Sequence, residues 1–254
     1  MSPAPLRLAI LEADTPLPGI DARYHGYYGV FTHLFIRAVA PAPLSSALIL
    51  SRHDVVNADP PASSHPSLSD VDALLITGSK HSAFEDTPWI LALVDLVRRA
   101  LAHTPRLRVI GVCFGHQIVS RALGVPVRRA DAGWEVSVTE TRLTLAGQAL
   151  FDGRETLKIQ QMHRDQALGV PPGATLLAST DKCPNHGFVI PGRVITVQGH
   201  PEFTDDIMEE ILETRHSAGL FDDELFRDGM GRRGEEHDGV LMAKVFLEFL
   251  RGAS

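Results

Sequence analysis

Short runs of apolar residues alternate with amphipathic stretches in the first half of the chain. Four runs are apolar at nearly every position, which is typical of strands covered on both faces of a sheet. They span residues 6–11, 47–51, 73–78 and 107–112. Between the last two, residues 88–103 begin with proline and carry apolar residues at spacings of three and four, which predicts a helix. This order predicts an α/β fold with an open, mostly parallel sheet and helices on both faces.

The pattern changes after Val125. Residues 134–145 and 156–161 alternate or mix polarity, as half-exposed antiparallel strands do. Two further strand patterns follow at residues 174–180 and 192–199, and the second ends in a sharp polar turn. We therefore expect a small antiparallel section beside the parallel sheet.

Two closing helices are predicted at residues 205–215 and 240–250. The segment between them, residues 222–239, is charged and rich in glycine, and is predicted to be a mobile surface segment. Residues 55–68 are predicted to form a second long loop. Neither segment is long enough to separate domains, so a single domain over residues 1–254 is expected.

Composition narrows the classes of function. The 254 residues are 44% hydrophobic and 22% charged, which is typical of a globular chain with a sizeable core. A formal net charge of −7 disfavours a nucleic-acid partner. Two cysteines cannot build a disulfide framework, and no apolar run reaches the roughly 18 to 20 residues of a membrane helix. With an N-terminus that has the pattern of a strand rather than a signal peptide, the chain is predicted to be cytoplasmic, without membrane contact.

The sharpest local signal surrounds Cys113. A predicted strand ends in Gly111-Val112-Cys113-Phe114-Gly115, and a helix begins at once. A nucleophile on such a turn needs small neighbours, because its backbone is strained and its side chain must stand free above the sheet. The positive end of the helix also favours a thiolate. The alternative is a buried structural cysteine beside a helix-packing glycine.

A second signal supplies a base for this thiol. Another predicted strand ends in Gly199-His200-Pro201-Glu202, which can set the carboxylate of Glu202 against one imidazole nitrogen and leave the other nitrogen for a cysteine. An ordinary exposed turn is the alternative. Because both motifs close strands of one predicted sheet, we expect Cys113, His200 and Glu202 to form a nucleophile, a base and an orienting acid.

These motifs, GVCFGHQ and GHPEF in that order, resemble those of the class I (triad-type) glutamine amidotransferase family. The resemblance spans about residues 6–203. It implies a flavodoxin-like sheet and hydrolysis of a glutamine side-chain amide through a thioester on Cys113.

The resemblance also implies an oxyanion hole made by the backbone N–H groups of Ser79 and Phe114. Related enzymes carry a Gly-Gly-Pro loop where this chain has Gly78, Ser79 and Lys80, so the loop must tolerate a side chain at position 79. A plain turn at the end of the strand is the alternative.

By the same resemblance, further residues are expected to bind the glutamyl group of the substrate. Besides Gly78, they are Gln117, Trp134 and His163. Gln117 could equally lie on a helix surface, Trp134 could be a core residue, and His163 could be solvated.

Residues 23–35 narrow the comparison within the family. They hold all three tyrosines of the chain, Tyr24, Tyr27 and Tyr28, together with Phe31. The segment resembles a stand-alone branch that includes plant γ-glutamyl peptidases and fungal amidotransferase-like proteins. The aromatic side chains are expected either to form a helical core patch or to line the substrate cleft.

The sequence contains no strong motif for binding a metal or a cofactor. The sequence has no His-Glu-x-x-His and no paired Cys-x-x-Cys, and Cys183-Pro-Asn-His186 is at most half a site, so no metal is predicted. The phosphate-binding motif G-x-x-x-x-G-K-[ST] is also absent, so no cofactor is predicted, and any ATP-consuming synthase would be a separate protein.

Three hypotheses follow. The first is a cysteine-dependent hydrolase of a γ-glutamyl amide, acting on a small-molecule substrate, glutamine or a γ-glutamyl peptide or conjugate. The second is a glutaminase subunit that supplies ammonia to a separate synthase, marked by an apolar patch around the cleft. The third is a catalytically idle binding protein of the same fold. The tyrosine segment and the lack of an attached synthase favour a peptidase-like activity.

Overall fold

The computed structural model describes residues 4–103 and 106–252. The strands are β1 (Leu6–Glu12), β2 (Leu48–Asp54), β3 (Ala73–Ile76), β4 (Arg108–Val112), β5 (Val127–Arg129), β6 (Glu135–Leu143), β7 (Thr156–His163), β8 (Asp165–Ala167), β9 (Thr175–Leu176), β10 (Ala178–Ser179), β11 (Phe188–Ile190) and β12 (Val194–Val197). The helices are α1 (Pro18–Tyr24), α2 (Tyr27–Val39), α3 (Pro88–His103), α4 (Phe114–Ala122), α5 (Leu145–Leu150), α6 (Asp205–Ser217), α7 (Asp223–Arg232) and α8 (Gly239–Arg251).

The main sheet has seven strands in the order β2-β1-β3-β4-β12-β11-β9. The first five strands are parallel, and β11 and β9 add antiparallel pairs at one side. The predicted α/β fold with a mostly parallel sheet is therefore confirmed. The register pairs Ile76 with Gly111 and Val112 with Val197, so β3, β4 and β12 end side by side. Residues that follow these three strands meet at one edge of the sheet.

Helices cover both faces of this sheet. Successive residues of a strand point to opposite faces, and β1 follows this rule, because Leu8 and Ile10 join one core cluster and Ala9 and Leu11 join another. The first cluster is completed by α2 and α8, and the second by α3 and α4. Burial on both faces explains why the parallel strands are continuous apolar runs.

The predicted antiparallel section is a hairpin of β6 and β7, extended by β10. Its register sets Glu135 directly opposite His163. A third core cluster joins Val136 and Met162 of this hairpin to Ile207 and Ile211 of α6. Residues 174–180, predicted as one strand, form the two very short strands β9 and β10 instead.

The structure corrects the prediction for residues 222–239. Ten of these residues form α7, whose first turn is capped by Asp222 through an Oδ1 that accepts from the N–H of Leu225 at 2.8 Å. The helix packs on the hairpin, where Ser137 Oγ donates to the Gly229 carbonyl at 2.7 Å. A Cβ at Gly229 would lie 2.9 Å from Leu212 Cδ2, so the glycine eases the close packing of α7 at this point. Because glycine has a low helix propensity, the sequence pattern did not predict this helix.

Within the described part of the chain, no helix combines the length and apolar character needed to cross a membrane.

Candidate active site

Cys113 lies on a strained turn between β4 and α4. Its φ of 51° and ψ of −103° are a conformation that residues with a Cβ rarely adopt. The two flanking glycines allow it: a Cβ at Gly111 would lie 2.7 Å from the Gly115 carbonyl oxygen, and one at Gly115 would lie 2.2 Å from that of Ile76. The G-x-C-x-G pattern is therefore required by backbone packing around the turn.

His200 follows β12 and is fixed on several sides. Its backbone N–H donates to the Gln160 carbonyl at 2.8 Å, and its ring stacks on Phe203 with centroids 3.9 Å apart. The Nδ1 atom lies 2.8 Å from Oε1 of the buried Glu202. His200 and Cys113 both line the same cavity. The structure thus brings together the three residues predicted as nucleophile, base and orienting acid.

The charges around His200 favour its protonated form. Burial, the largest single effect, would lower the pKa of His200, but the negative charges of Glu202 and of the Cys113 thiolate act together in the opposite direction. Their combined effect raises the pKa of His200 above its ordinary value. The arrangement therefore favours an imidazolium at His200, which can give a proton to a leaving group.

The loop after β3 lies beside Cys113, and Asp14 holds it in place. Asp14 accepts from the N–H of Lys80 at 2.7 Å and pairs with the Lys80 ammonium at 2.8 Å. The loop accommodates the side chain of Ser79 in place of glycine, because the Ser79 Oγ accepts from the N–H of His81 at 3.0 Å. Ser79 and Phe114 both line the cavity next to Cys113. Phe114 is the first residue of α4, a position whose N–H has no acceptor within the helix.

Gly78 has a steric role in the structure. Its Cα lies against the His200 ring, and a Cβ there would come within 2.5 Å of Cε1. The residue thereby makes room for the imidazole, whereas its predicted contact with substrate stays a prediction.

The cavity in front of Cys113 has a volume of about 420 Å³. Gln117, Trp134 and His163 all line it, whereas their contact with the glutamyl group stays a prediction. Gln117 is buried, and its Nε2 donates to the Asp165 carbonyl at 2.8 Å and to Gln198 Oε1 at 3.1 Å. It is therefore not a residue of the helix surface.

The aromatic segment divides between the two roles expected for it. Tyr27 lines the cavity, whereas Phe31 is fully buried in the core. Tyr24 is partly buried against the third core cluster, and its hydroxyl donates to Asp206 Oδ2 at 3.2 Å near the start of α6.

Three further residues of the site were missed from the sequence. Asp14 lies just beyond the end of β1, at the same sheet edge as Cys113, and its place after a buried strand could have indicated it. Gln198 follows β12, and its Nε2 lies 3.5 Å from Cys113 Sγ. Arg215 reaches the cavity from α6, with its guanidinium 4.7 Å from the centre of the Trp134 ring. An arginine on an amphipathic helix has no pattern that would reveal this position.

Comparisons with known proteins agree with this geometry. The family described as glutamine amidotransferase class-I matches residues 27–215. A Schizosaccharomyces pombe protein named as glutamine amidotransferase-like is 34% identical over 243 residues, covering 96% of this chain and 98% of that protein. Gamma-glutamyl peptidase 3 of Arabidopsis thaliana is 30% identical over 254 residues, covering 97% of both chains.

A solved structure supports the same fold. The glutamine amidotransferase of Thermotoga maritima superposes with a TM-score of 0.68 at 17% identity, over 97% of this chain and 96% of that one. The resemblance inferred from GVCFGHQ and GHPEF is thereby confirmed, and the chain belongs to the class I glutamine amidotransferase family.

Proposed function

We propose that this protein hydrolyses the γ-glutamyl amide bond of a γ-glutamyl peptide or conjugate through a thioester on Cys113. The observation that carries the proposal is that Cys113 and a His200 held by Glu202 line the same cavity, which is large enough for a small peptide.

In the first half of the reaction, the Cys113 thiolate attacks the γ-carbonyl carbon, and the electrons of the carbonyl bond move to its oxygen. The N–H groups of Ser79 and Phe114 stabilise this oxyanion. The intermediate collapses as the carbon–nitrogen bond breaks, and the imidazolium of His200 gives its proton to the leaving nitrogen. An amine leaves, and a γ-glutamyl thioester remains on Cys113.

In the second half, water attacks the thioester carbon and gives a proton to the now neutral His200. The carbon–sulfur bond then breaks, so that glutamate is released and the thiolate and imidazolium are restored. Glu202 accepts a hydrogen bond from Nδ1 of His200 throughout, which fixes the ring and stabilises its charged form.

The charges of the cavity support a peptide substrate over glutamine. Lys80 is neutralised by Asp14, and Arg129 lies 3.3 Å from Asp165. Arg215 differs, because its Nη1 is buried without a hydrogen-bond partner among the described residues. An unpaired guanidinium in a cleft suits a carboxylate, and the amino acid that leaves a γ-glutamyl peptide has a carboxylate that ammonia lacks.

The test is glutamate release from purified protein given glutamine, γ-glutamyl dipeptides, glutathione or glutathione conjugates. We expect release from the peptides, little release from glutamine, and none with Cys113→Ala. Release from glutamine alone would show a glutaminase that supplies ammonia, and no release from any of them would refute the proposal for the protein acting alone.

A further inference from the structure

A second cluster of reactive side chains lies behind the wall of the cavity. Glu135 and His163 face each other across the β6–β7 hairpin, and Cys183 and His186 come from the segment between β10 and β11. All four side chains are buried, and one potential ligand atom from each lies within 4.8 Å of all the others.

Three of the side chains already point toward one another, whereas the thiol of Cys183 donates to the Asn185 carbonyl at 3.3 Å. Oε2 of Glu135 lies 3.1 Å from Nε2 of His163 and 3.0 Å from Nε2 of His186. The other carboxylate oxygen, Oε1, accepts from the hydroxyl of Thr180 at 2.7 Å. This outer hydrogen bond orients the carboxylate, as such bonds do for carboxylates and imidazoles that bind metals.

The segment that carries the cysteine is held at several points. The carbonyl of Cys183 accepts a hydrogen bond from the backbone N–H of Thr180. The backbone N–H of Cys183 donates to the Oγ1 of Thr180 at 3.0 Å. The side-chain amide of Asn185 donates to the Gly169 carbonyl at 2.6 Å. The backbone N–H of His186 donates to the Ala178 carbonyl at 2.9 Å. The thiol and the imidazole are therefore presented to the hairpin by a fixed backbone.

Hydrogen bonding within the cluster is incomplete. Neither ring nitrogen of His163 has a hydrogen-bond partner among the described residues, although Nε2 lies 3.1 Å from Oε2 of Glu135. A buried imidazole with both nitrogens unsatisfied is costly. A cation between the four side chains would remove that cost for Nε2.

The donor set fits zinc in number, type and charge. One sulfur, two imidazole nitrogens and one carboxylate oxygen are ligands of tetrahedral Zn²⁺. A thiolate and a carboxylate with two neutral imidazoles balance its two positive charges. Ligand atoms of such a site lie about 3.3 to 3.6 Å apart, so the cluster needs to contract by about 1 Å at its widest pair.

We propose that Glu135, His163, Cys183 and His186 form a buried tetrahedral zinc site that ties the β6–β7 hairpin to the segment of residues 180–187. In this proposal the zinc ion does not contact the reacting atoms. Its role is to fix His163 and the neighbouring wall of the cavity. The isolated Cys183-Pro-Asn-His186 motif looked like half a site in the sequence because its other half lies on the hairpin.

Cobalt titration tests the site without any assay of activity. Tetrahedral Co²⁺ absorbs strongly in the visible range, and a thiolate ligand adds a charge-transfer band in the near ultraviolet. The metal-free full chain is titrated with Co²⁺, and Zn²⁺ is then added to displace it. We expect one Co²⁺ per chain with both spectral features.

The two cysteines of the chain provide matched variants. The thiolate band must persist in Cys113→Ser and disappear in Cys183→Ser, with circular dichroism as the check that both variants fold. A His186→Gln variant keeps the thiol and is expected to weaken Co²⁺ binding at least 10-fold, since it removes one ligand. Failure of the intact protein to bind, or a band that persists in Cys183→Ser and is lost in Cys113→Ser, would overturn the proposal.

Discussion

The Cα of Gly78 lies directly against the imidazole of His200, so close that a Cβ on Gly78 would come within 2.5 Å of the His200 Cε1. The ring has little freedom to move away, because Glu202 holds its Nδ1 and Phe203 stacks on its face. The strand β3, which ends two residues before Gly78, and β12, which ends before His200, both flank β4, and Cys113 follows β4 directly. The position of the imidazole relative to the thiol therefore depends on a residue with no side chain.

A Gly78→Ala variant should displace His200 and lower glutamate release. Misplacement of a catalytic group by about 1 Å can reduce the rate about 100-fold, and we expect a loss of that order in kcat/KM. The control is Gly231→Ala, where an added Cβ meets nothing within 4 Å. Equal activity of Gly78→Ala and the unmodified protein would show that the ring position is not critical.

The sequence predicted the centre of the site because its residues follow buried strands. Cys113 and His200 come after strands that the apolar pattern revealed, and parallel strands bring their carboxyl ends to one edge. Arg215 and His163 could not be placed in the same way. Their positions depend on how α6 and the β6–β7 hairpin pack, and that packing is absent from local patterns.

The helix α7 was missed for a related reason. Gly229 and Gly231 lower its helix propensity, whereas its stability comes from contacts with a hairpin that is distant in the sequence.

Glu202→Gln should move the alkaline limb of the pH profile of kcat/KM to lower pH. His200 has a raised pKa, so its imidazolium persists as the pH rises through neutrality and is lost as the pH passes through that raised value. Removing the charge of Glu202 removes the strongest effect that raises the pKa, and burial then lowers it. Steady-state rates from about pH 5 to about pH 11 provide the measurement, because the pKa of His200 is raised to about 10. The control is Glu213→Gln, an exposed change on α6, which should leave the alkaline limb unmoved. If the limb were unmoved in Glu202→Gln as well, it would not report a His200 whose pKa is raised by Glu202.

Arg215→Met should impair γ-glutamyl peptides more than glutamine. A hydrogen bond to a charged group contributes about 1.5 to 3 kcal/mol, which corresponds to a loss in kcat/KM of about 10- to 100-fold for the peptide. Rates with a γ-glutamyl dipeptide and with its carboxyl amide measure the effect, because the amide should be a poor substrate for both proteins. Arg227→Met, an exposed change on α7, is the control. An equal loss for glutamine and for the dipeptide would indicate that Arg215 supports the fold of the cleft instead.

The cap of α7 can be tested by its effect on stability. The Asp222 carboxylate accepts from the N–H of Leu225 at 2.8 Å, and its removal leaves that N–H without its partner. Asp222→Ala should lower the free energy of unfolding by about 1 kcal/mol, measured by urea denaturation, whereas Asp222→Asn retains an acceptor and should cost less. Glu224→Ala, in the same first turn, removes a similar charge without a cap and should change stability by only a few tenths of a kcal/mol. Because α7 packs on the hairpin through Ser137 and Arg232, loss of the cap should affect the cooperative unfolding of the chain and not only the helix. Equal losses in Asp222→Ala and Glu224→Ala would mean that charge near the helix terminus, rather than the hydrogen bond of Asp222, stabilises this segment.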